Sequence, residues 1–340
     1  MAFDFDDDLV VFQNPSIHSL RDSLLPPPSI ARGGLPVSGR PVVTSTFALN
    51  YALSGTEVWS YHVFNLLVHV LCGTLLFAIV RRTLLTPVLA KRFGAHAFEL
   101  ALVVAGLWTL HPLQTESVTY ISQRAESLVG LMYLLVVWCY LRAAEGRARS
   151  AWSIGAVIAC FLGMATKEVI VSAPIFVALY DRTFLAGSWR EVWSQRRKLL
   201  LALAGTWSLL AAIMLEAGGT RGASAGFGLG VSSWQYLLTQ AQAIVLYLRL
   251  SCWPHPLVLD YGTGLVRSFA EVWWQSLVVL GLLFATLWAL VRKPVLGCVG
   301  AWFFLILAPS SSVVPVISQT MAEHRMYLPL AAVVVLVVTS

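Results

Sequence analysis

Long apolar runs joined by short polar connections dominate the chain. They fall at about 61–80, 96–110, 127–141, 151–165, 169–181, 199–216, 272–291, 295–308 and 326–340. About 20 apolar residues in a helix span the roughly 30 Å hydrocarbon core of a bilayer. The pattern predicts an all-α polytopic membrane protein with about nine transmembrane helices. The runs at 151–165 and 169–181 are short, so they borrow flanking residues or form a hairpin that only partly crosses. A further stretch, WQYLLTQAQAIVLYLRLSCW at 234–253, is helical in pattern but carries Gln235, Gln240, Gln242 and Arg249. Lipid-facing spans rarely hold such groups, so an amphipathic surface helix is expected there, with an ordinary extra span as the alternative. Residues 1–60 are polar and rich in Pro and Gly. They are expected to form an external acidic loop, and 217–271 a second external loop, within one domain covering 1–340.

Composition supports the membrane class. The chain is 58% hydrophobic and 12% charged, about half the charged fraction of soluble domains (roughly 25%). Its net charge of +6 invites a nucleic-acid partner, but the basic residues sit in short loops between apolar runs, where they orient helices. Nucleic acid is therefore excluded as a partner. Arg81, Arg82, Lys91, Arg92, Arg142, Arg147, Arg149, Arg182, Arg190, Arg196, Arg197, Lys198, Arg292 and Lys293 fall in alternate loops, fourteen of 23 Lys and Arg. The positive-inside rule puts those loops in the cytoplasm. The acidic start, the 111–126 turn, Lys167-Glu168, 217–271 and 310–325 then share the opposite face. Cys72, Cys139, Cys160, Cys252 and Cys298 stand singly and read as small buried hydrophobes. Trp59, Trp108, Trp189, Trp193, Trp253, Trp273 and Trp274 read as interfacial belt residues. The acidic N-terminus has no signal-peptide pattern.

The candidate chemistry lies in the polar connections. Between two apolar runs, His111-Pro112-Leu113-Gln114-Thr115-Glu116 continues to Arg124 and Glu126. Pro112 stops the preceding helix, and ionisable groups at that depth are costly unless they pair or line a cavity. His111, Glu116 and Arg124 can bind a phosphate-bearing group or simply cap the interfacial turn. Asp6 and Asp7 form an adjacent carboxylate pair. They can take a proton from an acceptor or bind a divalent ion, or stand as a solvated acidic tail. Asn14-Pro15 and the prolines at 26–28 suggest ordered turns. Lys167-Glu168 and Glu323-His324-Arg325 can meet a phosphate, or in the case of the bases snorkel to headgroups. No Walker, GxSxG or HExxH pattern is present, so nothing calls for a soluble nucleotide or a tightly held cofactor.

Five segments, in order, resemble one family. HPLQTESVTYISQRAE is similar to the His-Pro-x-x-Thr-Glu-x-Val…Arg-Ala-Glu/Asp stretch of the transmembrane and tetratricopeptide-repeat O-mannosyltransferases and their bacterial relatives. FDDDLVVFQNPSI resembles their first-loop Asp-Asp…Asn-Pro segment, and RPVVTSTFALNY with YHVFNLLVHVL resembles the run at their next span. ATKEV and MAEHRMYLP resemble a Lys-Glu step and an Ala-Glu-Arg-x-x-Tyr-Leu-Pro step. The resemblance implies a C-type glycosyltransferase fold. It implies an integral-membrane enzyme that takes a sugar from a polyprenyl-phosphate-linked donor and passes it to a protein or glycan acceptor on the non-cytoplasmic side. The setting is a bacterial inner membrane, or the endoplasmic reticulum of a eukaryote. By motif position Asp6 is the likest acid for catalysis, supported by Asp7. Arg124, Lys167 and Arg325 are phosphate candidates, and His111, Glu116, Glu168 and Glu323 pocket-lining ones. The family's membrane helix before the acidic loop and its C-terminal tetratricopeptide repeats are expected to be absent here. A transporter of lipid-linked sugar and a structural membrane scaffold are the competing readings. Transporters often carry two-fold internal repeats, and none is visible between the halves.

Overall fold

In this computed structural model the described residues are 7–25, 37–146, 148–216, 226–228, 230–262, 264–316 and 319–340. The long helices are α1 (Pro41–Ser54), α2 (Val58–Leu84), α3 (Ala97–Leu110), α4 (Arg124–Ala144), α5 (Arg149–Met164) and α6 (Ala173–Phe184). They continue as α7 (Trp189–Gly205), α8 (Trp207–Glu216), α9 (Ser233–Cys252), α10 (Trp273–Arg292), α11 (Pro294–Leu307) and α12 (Leu330–Thr339). Every apolar run read from the sequence coincides with helix. Among the described residues five stretches are long and apolar enough to cross a membrane: Val58–Leu84, Ala90–Leu110, Ile121–Ala144, Trp189–Glu216 and Trp273–Arg292. Three shorter apolar helices, α5, α11 and α12, accompany them. The chain is an all-α polytopic membrane protein.

α4 is the hub. Its span has 67% of its apolar window buried, against 11% for Trp189–Glu216 and for α10. It packs on α2, α5 and α6, so those two outer spans present most of their surface to lipid. Gly130 lets the 323–329 segment close on α4, because a Cβ there would lie 2.6 Å from Cε1 of the Tyr327 ring. The backbone after Tyr327 is fixed by two indoles. Trp108 Nε1 donates to the Tyr327 carbonyl at 2.8 Å, and Trp302 Nε1 to the Leu328 carbonyl at 2.8 Å.

Three expectations change. The 1–60 segment is not loop throughout. Pro41 at the first helical position, where its missing N–H costs nothing, starts α1. Val43, Phe47 and Ala48 then bury one face at helical spacing. Gly55 ends the helix at φ +58°, a left-handed conformation open to glycine. Trp108 is fully buried rather than interfacial, whereas Trp59, Trp189, Trp193, Trp253, Trp273 and Trp274 are exposed as expected of a belt. Cys252 is exposed, unlike the other four cysteines.

The helix expected at 234–253 forms as α9. One of its polar residues turns inward: Gln240 is fully buried and donates to the Thr320 carbonyl at 2.9 Å, and beside it the Tyr236 hydroxyl donates to the Ser310 carbonyl at 2.7 Å. Trp234, Leu237, Gln242 and Arg249 face outward.

Candidate active site

Chain direction alternates so that one end of the bundle collects the starts of α2, α4, α6 and α12 and the ends of α3, α5 and α11. The sequence explains the turns that build it. Pro112 forces His111 into an extended backbone, and the His111 Nδ1 accepts from Leu113 N at 3.2 Å. One short helix, Thr115–Thr119, then turns Glu116 inward, where it is 8% exposed. Glu116 accepts from the backbone N–H of His324 at 2.9 Å, and its second oxygen lies 2.6 Å from His324 Nδ1. His324 Nε2 lies 3.6 Å from Glu126 in the first turn of α4. Glu126 in turn pairs with Lys167, which sits in extended conformation in the turn between α5 and α6. The result is a line Glu116–His324–Glu126–Lys167 drawn from three separate segments, all buried.

Arg325 closes the cluster. Its Nη1 donates to Tyr236 Oη and Gln240 Oε1, both at 3.3 Å, and to the Thr320 carbonyl at 3.2 Å. Its Nη2 donates to the Gln319 carbonyl. Between Glu126 and Arg325 lies a cavity of about 10 Å³, with Ser310 in its wall, room for one water at most. Burial pushes the Lys167 ammonium below the usual lysine range; Glu126 opposes this and Arg40 adds to it. Burial likewise lowers His111, opposed by its contact with the Ser251 carbonyl at 3.2 Å.

Other expected site residues are placed differently. Asp6 lies outside the described residues. Asp7 is 2% exposed and accepts from Ser122 N at 2.7 Å, just before α4 begins. The start of the chain is therefore no solvated tail from Asp7 onward, since Val10, Val11 and Ile17 are buried behind it. Asn14 also accepts from Ser16 N at 3.1 Å, the ordered turn read from Asn14-Pro15. Arg124 is wholly buried and its donors are committed: Nε to Asn65 at 2.7 Å, Nη1 to Asn50 at 2.6 Å and Thr46 at 3.3 Å, Nη2 to the Tyr61 carbonyl at 3.1 Å. The rings of Phe47 and Phe64 lie 4.3 and 4.5 Å from its guanidinium carbon. It clamps α1 and α2 onto α4 rather than pointing at a ligand. Glu323 faces the loop after α9 and accepts from Val258 N at 2.8 Å and Tyr261 Oη at 2.6 Å. Glu168 is partly exposed beside Lys167.

Arg40, Glu126 and Gln240 belong to this end and were not among the candidate site residues, and His324 entered only as the middle of the Glu323-His324-Arg325 step. Arg40 stands close enough to act on Lys167, because Val42 N donates to the Ala165 carbonyl at 3.3 Å and docks the start of α1 on the Lys167 turn. The signal was present: Arg40, Glu126 and His324 lie inside segments already quoted for their pattern. Among the described residues no group of three or more His, Cys, Asp or Glu side chains is arranged to hold a metal ion.

This is a helical membrane protein with a buried, charge-balanced cluster at one end of its bundle. Comparison with known proteins bears out the family resemblance, because the curated relatives are named protein O-mannosyl-transferases. The chain is 28% identical over 275 residues to Protein O-mannosyl-transferase Tmtc2 of Drosophila melanogaster, covering 76% of this chain and 28% of that protein. It is 33% identical over 156 residues to Protein O-mannosyl-transferase TMTC2 of Homo sapiens, covering 45% of this chain and 17% of that protein. It is 25% identical over 350 residues to Protein O-mannosyl-transferase F38B6.6 of Caenorhabditis elegans, 97% of this chain and 47% of that protein. The chain thus spans less than half the length of each of these relatives. No family model and no solved structure matches it.

Proposed function

We propose that the protein is an integral-membrane glycosyltransferase. It moves a sugar, mannose by analogy with its relatives' names, from a polyprenyl- or dolichyl-phosphate donor to a protein hydroxyl on the non-cytoplasmic side. The observation that supports this most is convergence. Segments far apart in sequence, each carrying a motif of the resemblance, meet at one end of the bundle through Glu116–His324, Glu126–Lys167 and Asp7–Ser122 contacts. A scaffold has no need of buried ionisable groups drawn from so many segments.

In this reading the acceptor oxygen attacks the anomeric carbon as the bond from that carbon to the phosphate oxygen breaks. The acceptor proton passes to the Asp6 carboxylate, and the polyprenyl phosphate leaves with the bonding pair. Direct displacement inverts the anomeric configuration. Asp7 positions the start of α4 rather than reacting. Arg40 and Lys167, near enough to act on each other electrostatically, receive the phosphate and stabilise the charge that develops on it. Glu126 and His324 hold Lys167 in place. Arg325 stiffens the rim through α9, and Arg124 keeps α1 and α2, hence Arg40, in register.

Membranes containing the protein, supplied with labelled polyprenyl-phosphate-mannose, test this directly. Asp6→Asn is expected to abolish label transfer at unchanged expression, and full transfer by that variant removes Asp6 from the mechanism. Label arriving from a sugar nucleotide with lipid-linked donor absent would overturn the donor class.

A further inference from the structure

The opposite end of the bundle carries a cleft that the transfer reaction does not use. It lies between α5 and α7, has a volume of about 620 Å³, and is open to the outside. Its mouth is ringed by Arg149, Arg196, Arg197 and Lys198, and among the described residues no carboxylate lines it. Arg196 is spoken for: it forms an ion pair with the fully buried Asp181 at 2.9 Å and makes a fixed wall. Arg149 is anchored through the Gln195 carbonyl. Arg197 and Lys198 are exposed at the mouth. Below them the lining changes character abruptly. Ile154 and Ile158 follow at helical spacing on α5 and are 60% and 53% exposed. Ile158 lies nine residues beyond Arg149, about 13 Å along the helix axis at 1.5 Å per residue.

A positive mouth over an apolar groove of that depth matches one kind of molecule. We infer that this cleft binds an anionic phospholipid of the adjoining leaflet, its phosphate against Arg197 and Lys198 and one acyl chain along Ile154 and Ile158. Basic clefts between membrane helices hold anionic headgroups because each Lys or Arg near the surface adds to the attraction. The groove supplies what a bare basic loop lacks, a seat for the tail. This site stands whether or not the transferase reading does.

The test is lipid binding to the purified protein in nanodiscs, read by native mass spectrometry as phosphatidylglycerol retained against phosphatidylcholine. Loss of two surface cations predicts roughly a thirtyfold fall in affinity for the anionic lipid in R197Q/K198Q. The control R292Q/K293Q removes the same charge at the same end but outside the cleft, and is expected to keep binding within about twofold of the wild type. An unchanged melting temperature of R197Q/K198Q in pure phosphatidylcholine shows that its fold is intact. Equal loss in both double variants, or none in R197Q/K198Q, overturns the site. So does glycerol phosphate competing as well as the intact lipid, because the groove would then contribute nothing.

Discussion

At one end of the bundle Arg82 and Arg142 both reach Glu145, with side chains 24–36% exposed, and Arg82 also lies over the Trp138 ring. At the other end Lys167 and Glu126 meet with side chains only 8% and 5% exposed, and His324 bridges towards Glu116 at 4% and 6%. The residue types are the same and the physics differs. Exposed pairs contribute about 0–1 kcal/mol, because water already solvates each partner. A buried pair brings little net stability, yet removing one partner strands the other and costs about 3–5 kcal/mol. The basic end is a rim of partly exposed pairs. The polar end is a network whose members depend on one another, the kind of arrangement kept where chemistry needs fixed charges.

Substitutions sharpen that contrast. Lys167→Met is expected to lower stability by about 3–5 kcal/mol by leaving the buried Glu126 without its lysine and only the more distant His324 beside it. Adding Glu126→Leu should recover part of the loss, and thermal melting in detergent as a double-mutant cycle reads both. Glu116→Gln weakens two hydrogen bonds to a charged acceptor, and about 1.5–3 kcal/mol is expected from the same melts. Arg82→Gln at the basic end should cost under about 1 kcal/mol, and a value near that of Lys167→Met would erase the distinction between the ends.

The smallest effect is in pH. Burial raises the Glu323 carboxyl above its usual 4.5, opposed by its hydrogen bonds from Tyr261 and Val258. Between 4.5 and that raised value the folded state holds more protons than the unfolded one, so stability falls as pH rises through the window. Glu323→Gln should flatten that slope in a series of melts against pH.

Much of the fold is legible in the sequence because hydrophobic runs are read directly from residue type. Each apolar run at 61–80 through 326–340 becomes helix, and the polar periodicity of 234–253 already marks α9 as a helix with one polar face. What the pattern leaves open is which way a polar residue points. Gln240 and Arg124 look equally able to face a ligand or the protein. Only packing shows that Gln240 holds Thr320 and that Arg124 is spent on Asn65, Asn50 and Tyr61. α1 was missed because three polar hydroxyls interrupt its apolar face. Thr44, Ser45 and Thr46 each donate back to carbonyls three or four residues earlier, which satisfies them inside a helix. Arg40 was missed with it, since the start of α1 meets the Lys167 turn only once that helix has formed.

The proposed transfer depends on where the phosphate-stabilising charge sits. The initial rate of mannose transfer from a polyprenyl-phosphate donor, compared between Arg40→Gln and Arg82→Gln at matched expression, measures this. A fall of about 10²-fold is expected for Arg40→Gln, the scale of losing one preorganised charge contact, with Arg82→Gln within about twofold of the wild type. Equal rates in the two variants, or the larger loss in Arg82→Gln, would contradict it.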